Sequence, residues 1–152
     1  MIKKKYNTII FGASGRDFYN FLIYFKNNPV FKVVAFTQTQ IPGIEKRSFP
    51  KKLAGKYYKE DIPFYPEEDL PYLIKKYGVD YCFLSYSDLS HQEVMEKASF
   101  VLSSGANFAL LGTRDTMLFS KKPVIAITAV RTGSGKSQTS RAVAEILRKN
   151  GK

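Results

Sequence analysis

The segment Gly133-Ser134-Gly135-Lys136-Ser137-Gln138 carries the residue types that hold a polyphosphate. Gly133 and Gly135 let the backbone curl, so that successive N–H groups converge on one point. Lys136 is placed to neutralise β- and γ-phosphates, and the Ser137 hydroxyl to ligate Mg²⁺. A helix beginning at Ser137 would aim its positive end at the same place. The chemistry implied is binding of ATP or GTP with Mg²⁺. Gly133, Ser134, Gly135, Lys136, Ser137 and Gln138 form the binding set, Lys136 is the candidate catalytic group and Ser137 the metal ligand. The full pattern asks for glycine six residues before the lysine, where this chain has Val130. A glycine-rich turn that binds nothing is the competing reading; the strand–loop–helix context favours phosphate.

A second glycine turn, Gly12-Ala13-Ser14-Gly15-Arg16-Asp17-Phe18, joins an apolar run to a helix. Gly12, Gly15 and Arg16 are candidate nucleotide-binding residues there, at the carboxyl end of the first strand. The turn lacks the complete dinucleotide fingerprint, because Phe18 stands where a third glycine would pack helix on strand. The run ending Phe36-Thr37-Gln38 offers no acid for a ribose diol. A purely structural turn explains the same residues equally well. Polar groups of Ser85-Tyr86-Ser87-Asp88-Leu89-Ser90-His91 follow a later strand at the same edge. Asp88 or Ser90 reads as a helix cap, with capping preferred over a site role for Asp88, and His91 is left open. Cys82, inside an apolar strand, reads as core, as do Phe18, Phe21, Tyr24 and Phe25 at helical spacing.

The elements that must position these loops alternate between strand and helix, which predicts a parallel sheet with covering helices. Strands are expected at Tyr6 to Phe11, Phe31 to Thr37, Val79 to Ser85, Phe108 to Leu111 and Val124 to Ala129. Helices are expected at Arg16 to Lys26, Glu67 to Tyr77, Gln92 to Ser104 and Ser137 to Lys149. Residues 38–65 read as a long irregular connection. Gly78 and Gly105 read as helix stops.

The chain has 152 residues, of which 44% are hydrophobic and 14% aromatic, a balance that excludes a disordered chain. No apolar run approaches the roughly 20 residues that span a bilayer, and no cleavable leader pattern follows the basic start. A lone cysteine forms neither an internal disulfide nor a metal cluster. A cytoplasmic protein with no membrane partner fits. Net charge is +11 and uneven: residues 1–60 hold 12 Lys/Arg against 3 Asp/Glu, residues 61–120 hold 4 against 9, and residues 121–152 hold 8 against 1. The basic ends suit phosphorylated small molecules. No stacking motif accompanies the charge, so nucleic acid is the weaker partner reading.

The two glycine loops, together with Val34-Ala35-Phe36-Thr37, Gln40-Ile41-Pro42-Gly43-Ile44, Ser85 to His91 and Val130 to Arg141, resemble the cyclic 2,3-diphosphoglycerate synthetase family in the same order. That resemblance implies a Rossmann-like domain over residues 1–119. It places over 120–152 the first strand, P-loop and helix of a P-loop NTPase domain that is incomplete here. It further implies ATP-dependent closure of a phosphoanhydride ring, with 2,3-diphosphoglycerate as substrate and Arg131 or Arg141 assisting charge neutralisation. Relatives described as GTPases leave ATP and GTP both open. The 152 residues are expected to be an N-terminal fragment without turnover, since the Walker-B carboxylate lies on a later strand. An exposed apolar helix face would favour self-association. The alternatives are a GTPase-like protein with another substrate and a small Rossmann-like nucleotide- or CoA-binding module.

Overall fold

Strand β1 (Tyr6–Phe11) lies at the centre of a six-stranded sheet ordered β3-β4-β2-β1-β5-β6. Its neighbours are β2 (Phe31–Gln38) and β5 (Tyr81–Leu84), both parallel to it. Beyond β2 lies β4 (Ile62–Pro66), also parallel, and beyond β5 the parallel edge strand β6 (Asn107–Leu110). Among the described residues only the two-residue β3 (Ser48–Phe49) is antiparallel, to β4. The computed structural model describes residues 5–12, 15–39, 43, 46–86, 88–130 and 133–152. The chain divides into two compact units, Met1–Met117 and Leu118–Lys152.

In the first unit, strands bury both faces, as their near-continuous apolar runs require. One face carries Ile10, Phe36 and Phe83 against Phe21 and Phe25. Those two rings come from the segment after Gly15, which is helix α1 (Arg16–Asn20) continued by a π-helical turn, Phe21–Phe25. Lys26 N–H donates to the Phe21 carbonyl at 2.8 Å, closing the wide turn. The opposite face packs Ile9, Phe11, Ala35, Cys82 and Leu84 against Leu70, Leu73 and Ile74 of α3 (Leu70–Tyr77) and Val101 of α4 (His91–Ser103). Helix α3 stops at Gly78 with φ 55, and Gly105 after α4 has φ 96, both left-handed positions that suit glycine.

Several expectations need correction. Residues 38–65 are not one irregular connection: they contain β3, helix α2 (Lys51–Ala54) and the start of β4. Pro63 and Pro66 hid β4, since proline removes a ladder donor. The strand tolerates them at its ends, where Pro63 faces Ser48 and Pro66 faces Gln38. The expected helix over Arg16 to Lys26 is α-helical only in its first half. The cap of α4 is Ser90, not Asp88: the Ser90 hydroxyl accepts from Glu93 N–H at 3.3 Å, and Glu93 accepts from Ser90 N–H at 2.7 Å. This reciprocal pair satisfies two otherwise free donors. His91 is the exposed first residue of that helix.

The short helix α5 (Thr113–Thr116) ends the first unit; in the second, α6 (Lys136–Lys149) forms with no buried residue. The buried strand expected at Val124 to Ala129 is not formed; Val124 is 70% and Ile125 61% exposed. A strand needs a neighbour to pair its N–H and C=O groups, and none lies beside this run among the described residues of the unit. Among the described residues no helix is long and apolar enough to cross a membrane.

Cys82 is fully buried, and burial pushes its thiol up to about 12. The folded chain is therefore expected to resist a thiol-specific reagent at neutral pH and to react once unfolded. The raised value also predicts stability lost with rising pH. Above the ordinary thiol range the unfolded chain releases this proton and the folded chain keeps it until about 12. Titrating unfolding midpoints of wild type against Cys82→Ala between pH 8 and 11 reads this slope, which the variant should lack.

Candidate functional site

The sheet order reverses direction at β1: the chain steps from β1 outward to β2 and β4, then returns to β5 on the other side. Loops leaving the carboxyl ends of β1 and β5 therefore diverge and leave a crevice, the usual ligand position of such sheets. Gly12 leaves β1 with φ 117 and donates its N–H to the Thr37 carbonyl at 2.6 Å. A side chain there would meet Asp17 Cβ at 3.0 Å, so glycine is required by both conformation and space.

A negative charge of the chain's own stands in this turn. Asp17 is 3% exposed, and its carboxylate accepts the Gly15 N–H at 2.6 Å. A carboxylate at a helix start satisfies orphan donors, but it also takes a position an anion would use. Arg16 beside it is exposed. Gly12, Gly15 and Arg16 thus come together at the crevice, with Gly15 already engaged by its own chain. Phe18 packs edge-on against Phe36 at 5.5 Å and tilted against Phe49 at 5.3 Å. A ring therefore fills the helix–sheet space that a third glycine would have closed. Deeper in, Asn20 donates to the Ser85 hydroxyl at 2.9 Å, both residues being buried.

On the other face of the sheet, the sequence reading missed a polar cluster. Glu67, at the start of the short 3₁₀ turn before α3, pairs with Lys97 of α4 and meets the Tyr86 hydroxyl at 3.4 Å. The Lys97 ammonium lies 5.5 Å from the Tyr86 ring centre and 5.9 Å from that of Phe11. Burial, opposed by hydrogen bonding to Thr39 and reinforced by the Glu67 charge, pushes the Tyr86 phenol up to about 12. One signal was present: Lys97 sits within the stripe Val94, Ala98 and Val101 that faces the sheet. A lysine in such a stripe asks for a partner. Its partner stands 30 positions earlier, at the first residue of the expected helix Glu67 to Tyr77. Beside this cluster opens a cavity of about 430 Å³ lined by Thr39, Tyr86, Leu89, Glu93, Glu96, Lys97 and Phe100.

The remaining predicted site residues belong to the second unit. Gly133 and Gly135 both have φ 81, left-handed positions that turn the chain into α6. Gly135 is the N-cap of α6, which has no side-chain cap and no acid in its first turn. Its first N–H groups thus lack the carboxylate that occupies the Gly12–Gly15 turn. Lys136, Ser137 and Gln138 form that first turn, with Ser134 just before it. Ser134 and Lys136 each have a further interaction within the chain. Ala13, Ser14, Gln40, Ile41, Pro42, Ile44, Ser87, Arg131 and Thr132 lie outside the described residues. Among the described residues no group of three His, Cys, Asp or Glu could hold a metal ion.

The first unit is a Rossmann-like α/β fold, with a mostly parallel sheet flanked by helices. UDP-D-quinovosamine 4-dehydrogenase from Vibrio fischeri shares it at TM-score 0.55 and 16% identity, over 72% of this chain and 80% of that one. The structure of RSP, a Rex-family repressor, superposes at TM-score 0.49 and 19% identity, over 98% of this chain and 64% of that one. A curated protein called Arginine synthetase ArcE, from Thermococcus kodakarensis, is 54% identical over 149 residues, 98% of this chain. The chain spans 33% of the length of that relative. No family model matches the chain.

Proposed function

We propose that this chain is the N-terminal, nucleotide-handling part of an ATP- or GTP-dependent synthetase that makes arginine. The observation that carries the reading is the 54% identity to Arginine synthetase ArcE along nearly the whole chain. In this reading the nucleotide sits at the start of α6. Support comes from the two left-handed glycines, the uncapped helix and the adjacent Lys136. The loop and first-turn N–H groups would hold β-phosphate oxygens. Lys136 would neutralise charge developing on the transferred phosphoryl group, and Ser137 would supply an oxygen ligand to Mg²⁺. A synthetase uses phosphoryl transfer to turn a poor leaving oxygen into a good one. The groups this chain brings to that step position and neutralise phosphate; they do not act as nucleophile.

The Gly12–Gly15 turn is not the nucleotide site in this proposal, because the Asp17 carboxylate on Gly15 N–H would repel a diphosphate. That also weighs against the alternative of a nucleotide- or CoA-binding module built on the first unit. Diphosphoglycerate cyclisation is a second reading, favoured by the ordered resemblance of the glycine loops and the Ser85 to His91 segment to that family. It shares the same phosphate loop and differs in the molecule that receives the phosphoryl group.

The test is equilibrium binding of fluorescent ATP and GTP analogues to the 152-residue chain, with and without Mg²⁺. Saturable, Mg²⁺-dependent binding is expected, weakened roughly tenfold to a hundredfold by Lys136→Ala through loss of a charged contact. Binding unchanged by Lys136→Ala, with α6 intact by circular dichroism, would remove the assignment.

A further inference from the structure

We infer that the amino end of the sheet in the first unit is a docking surface for single-stranded nucleic acid. This end lies opposite the crevice, and the inference does not depend on the synthetase reading. The loop before β4 and the first residues of β2 form a groove of about 760 Å³ there, with Lys32, Lys59, Tyr57, Tyr58 and Tyr77 in its walls. Lys5 precedes β1, and its ammonium lies 4.0 Å from the centre of the Tyr57 ring. Lys56 stands 5.3 Å from the same ring, and Lys76 stands 5.1 Å from that of Tyr77. No single stretch of sequence carries a stacking motif, because segments far apart in the chain assemble this face.

Its charge is available to a partner. Among the described residues none of Lys5, Lys32, Lys56, Lys59 and Lys76 forms an ion pair with an acid. Two acids at this end are engaged by their own chain. Asp61, in the groove wall, accepts the Lys51 N–H at 2.9 Å and the Ser48 hydroxyl at 3.1 Å. Asp80 accepts the Asn7 N–H at 2.9 Å. Glu60 also lines the groove and is exposed, so it offsets part of the positive charge without cancelling it.

The arrangement of cation and ring selects the kind of anion. A compact anion needs its charge met at one point, whereas these lysines are spread along a groove and interleaved with tyrosines. A strand that alternates phosphates with flat bases matches such a surface. Tyr57 is 42% exposed and offers its ring to a base, with the Lys5 ammonium beside it for the adjoining phosphate. Tyr58 is held as part of the floor, since its hydroxyl accepts the Val33 N–H at 3.1 Å. A duplex keeps its bases stacked inside and cannot use the Tyr57 ring in this way.

Fluorescence anisotropy of the full 152-residue chain with a labelled single-stranded RNA of about 16 nucleotides tests this across a salt series. Saturable binding is expected, weakening as salt rises. Tyr57→Ala should lose about tenfold in affinity with the slope of log affinity against log salt unchanged, and Tyr57→Phe should bind like wild type. Lys32→Gln combined with Lys59→Gln should lower affinity and reduce that slope by about two. Lys121→Gln combined with Lys122→Gln removes the same charge from the second unit and should change affinity by less than about twofold. Circular dichroism checks that each variant is folded. Absence of binding at low salt, equal affinity for a duplex of the same length, or no loss with Tyr57→Ala would each overturn the inference. So would a loss confined to the Lys121 and Lys122 variant, which would place the binding in the second unit.

Discussion

Replacing Phe21 by alanine is expected to destabilise the first unit by about 3–5 kcal/mol. Phe21 is fully buried, and its ring meets Phe49 at 4.9 Å, Tyr58 at 5.5 Å and Phe36 at 5.8 Å. These partners come from three separate segments, so the cavity left behind cannot close by moving one of them. A domain of this size typically has about 5–15 kcal/mol in total, so the loss removes a large share of the stability. The midpoint of thermal unfolding should fall by on the order of 10–20 °C. Should that variant not accumulate in folded form, Phe21→Leu keeps most of the volume and should lose only about 1 kcal/mol. Tyr72→Ala, at a side chain 60% exposed on α3, serves as the contrast and should change stability by less than about 0.5 kcal/mol. Equal losses at Phe21 and Tyr72 would show that this aromatic cluster is not the core of the unit.

The second large effect is expected at the Glu67–Lys97 pair. Their side chains are 9% and 19% exposed, so most of the hydration of each charge is replaced by the other. Removing one partner leaves the remaining charge in a poorly hydrated place, at a cost of about 3 kcal/mol. Glu67→Gln strands the ammonium against the Phe11 and Tyr86 rings, and Lys97→Met strands the carboxylate beside the Tyr86 hydroxyl. The double variant should be more stable than the two single losses added together, by about 1–3 kcal/mol. Denaturant unfolding of all four proteins completes the cycle. Single losses below about 0.5 kcal/mol, the size expected of a solvated surface pair, would mean that water already reaches both groups.

Both predictions lie on contacts of different legibility. The Phe21 cluster was visible in part: Phe18, Phe21, Tyr24 and Phe25 have helical spacing beside a glycine turn, and all four pack on one face of the sheet. What the spacing did not show was the π-helical turn or that Phe49 and Tyr58 close the other side. The Glu67–Lys97–Tyr86 cluster joins an acid after a proline-bearing strand, a lysine in an apolar helix stripe and a tyrosine after β5. Only the lysine, set in an apolar stripe, signals a partner; the acid and the tyrosine read as ordinary surface or core.

By itself, the sequence determined the local features whose cause lies within a few residues. Apolar runs marked β1, β2, β5 and β6, glycines at 78 and 105 stopped α3 and α4, and Gly133 and Gly135 turned the chain into α6. Periodicity and backbone permissiveness act locally, so they can be read locally. Only the tertiary structure decided that Ile62–Pro66 is a strand, because β2 and β3 supply its pairing despite two prolines. It decided equally that Val124 to Ala129 is not a strand here: among the described residues no strand pairs with this run, and an apolar run without a partner cannot satisfy its backbone. In both cases the outcome depends on whether a partner stands opposite, and for β4 that is set by the order of strands in the sheet.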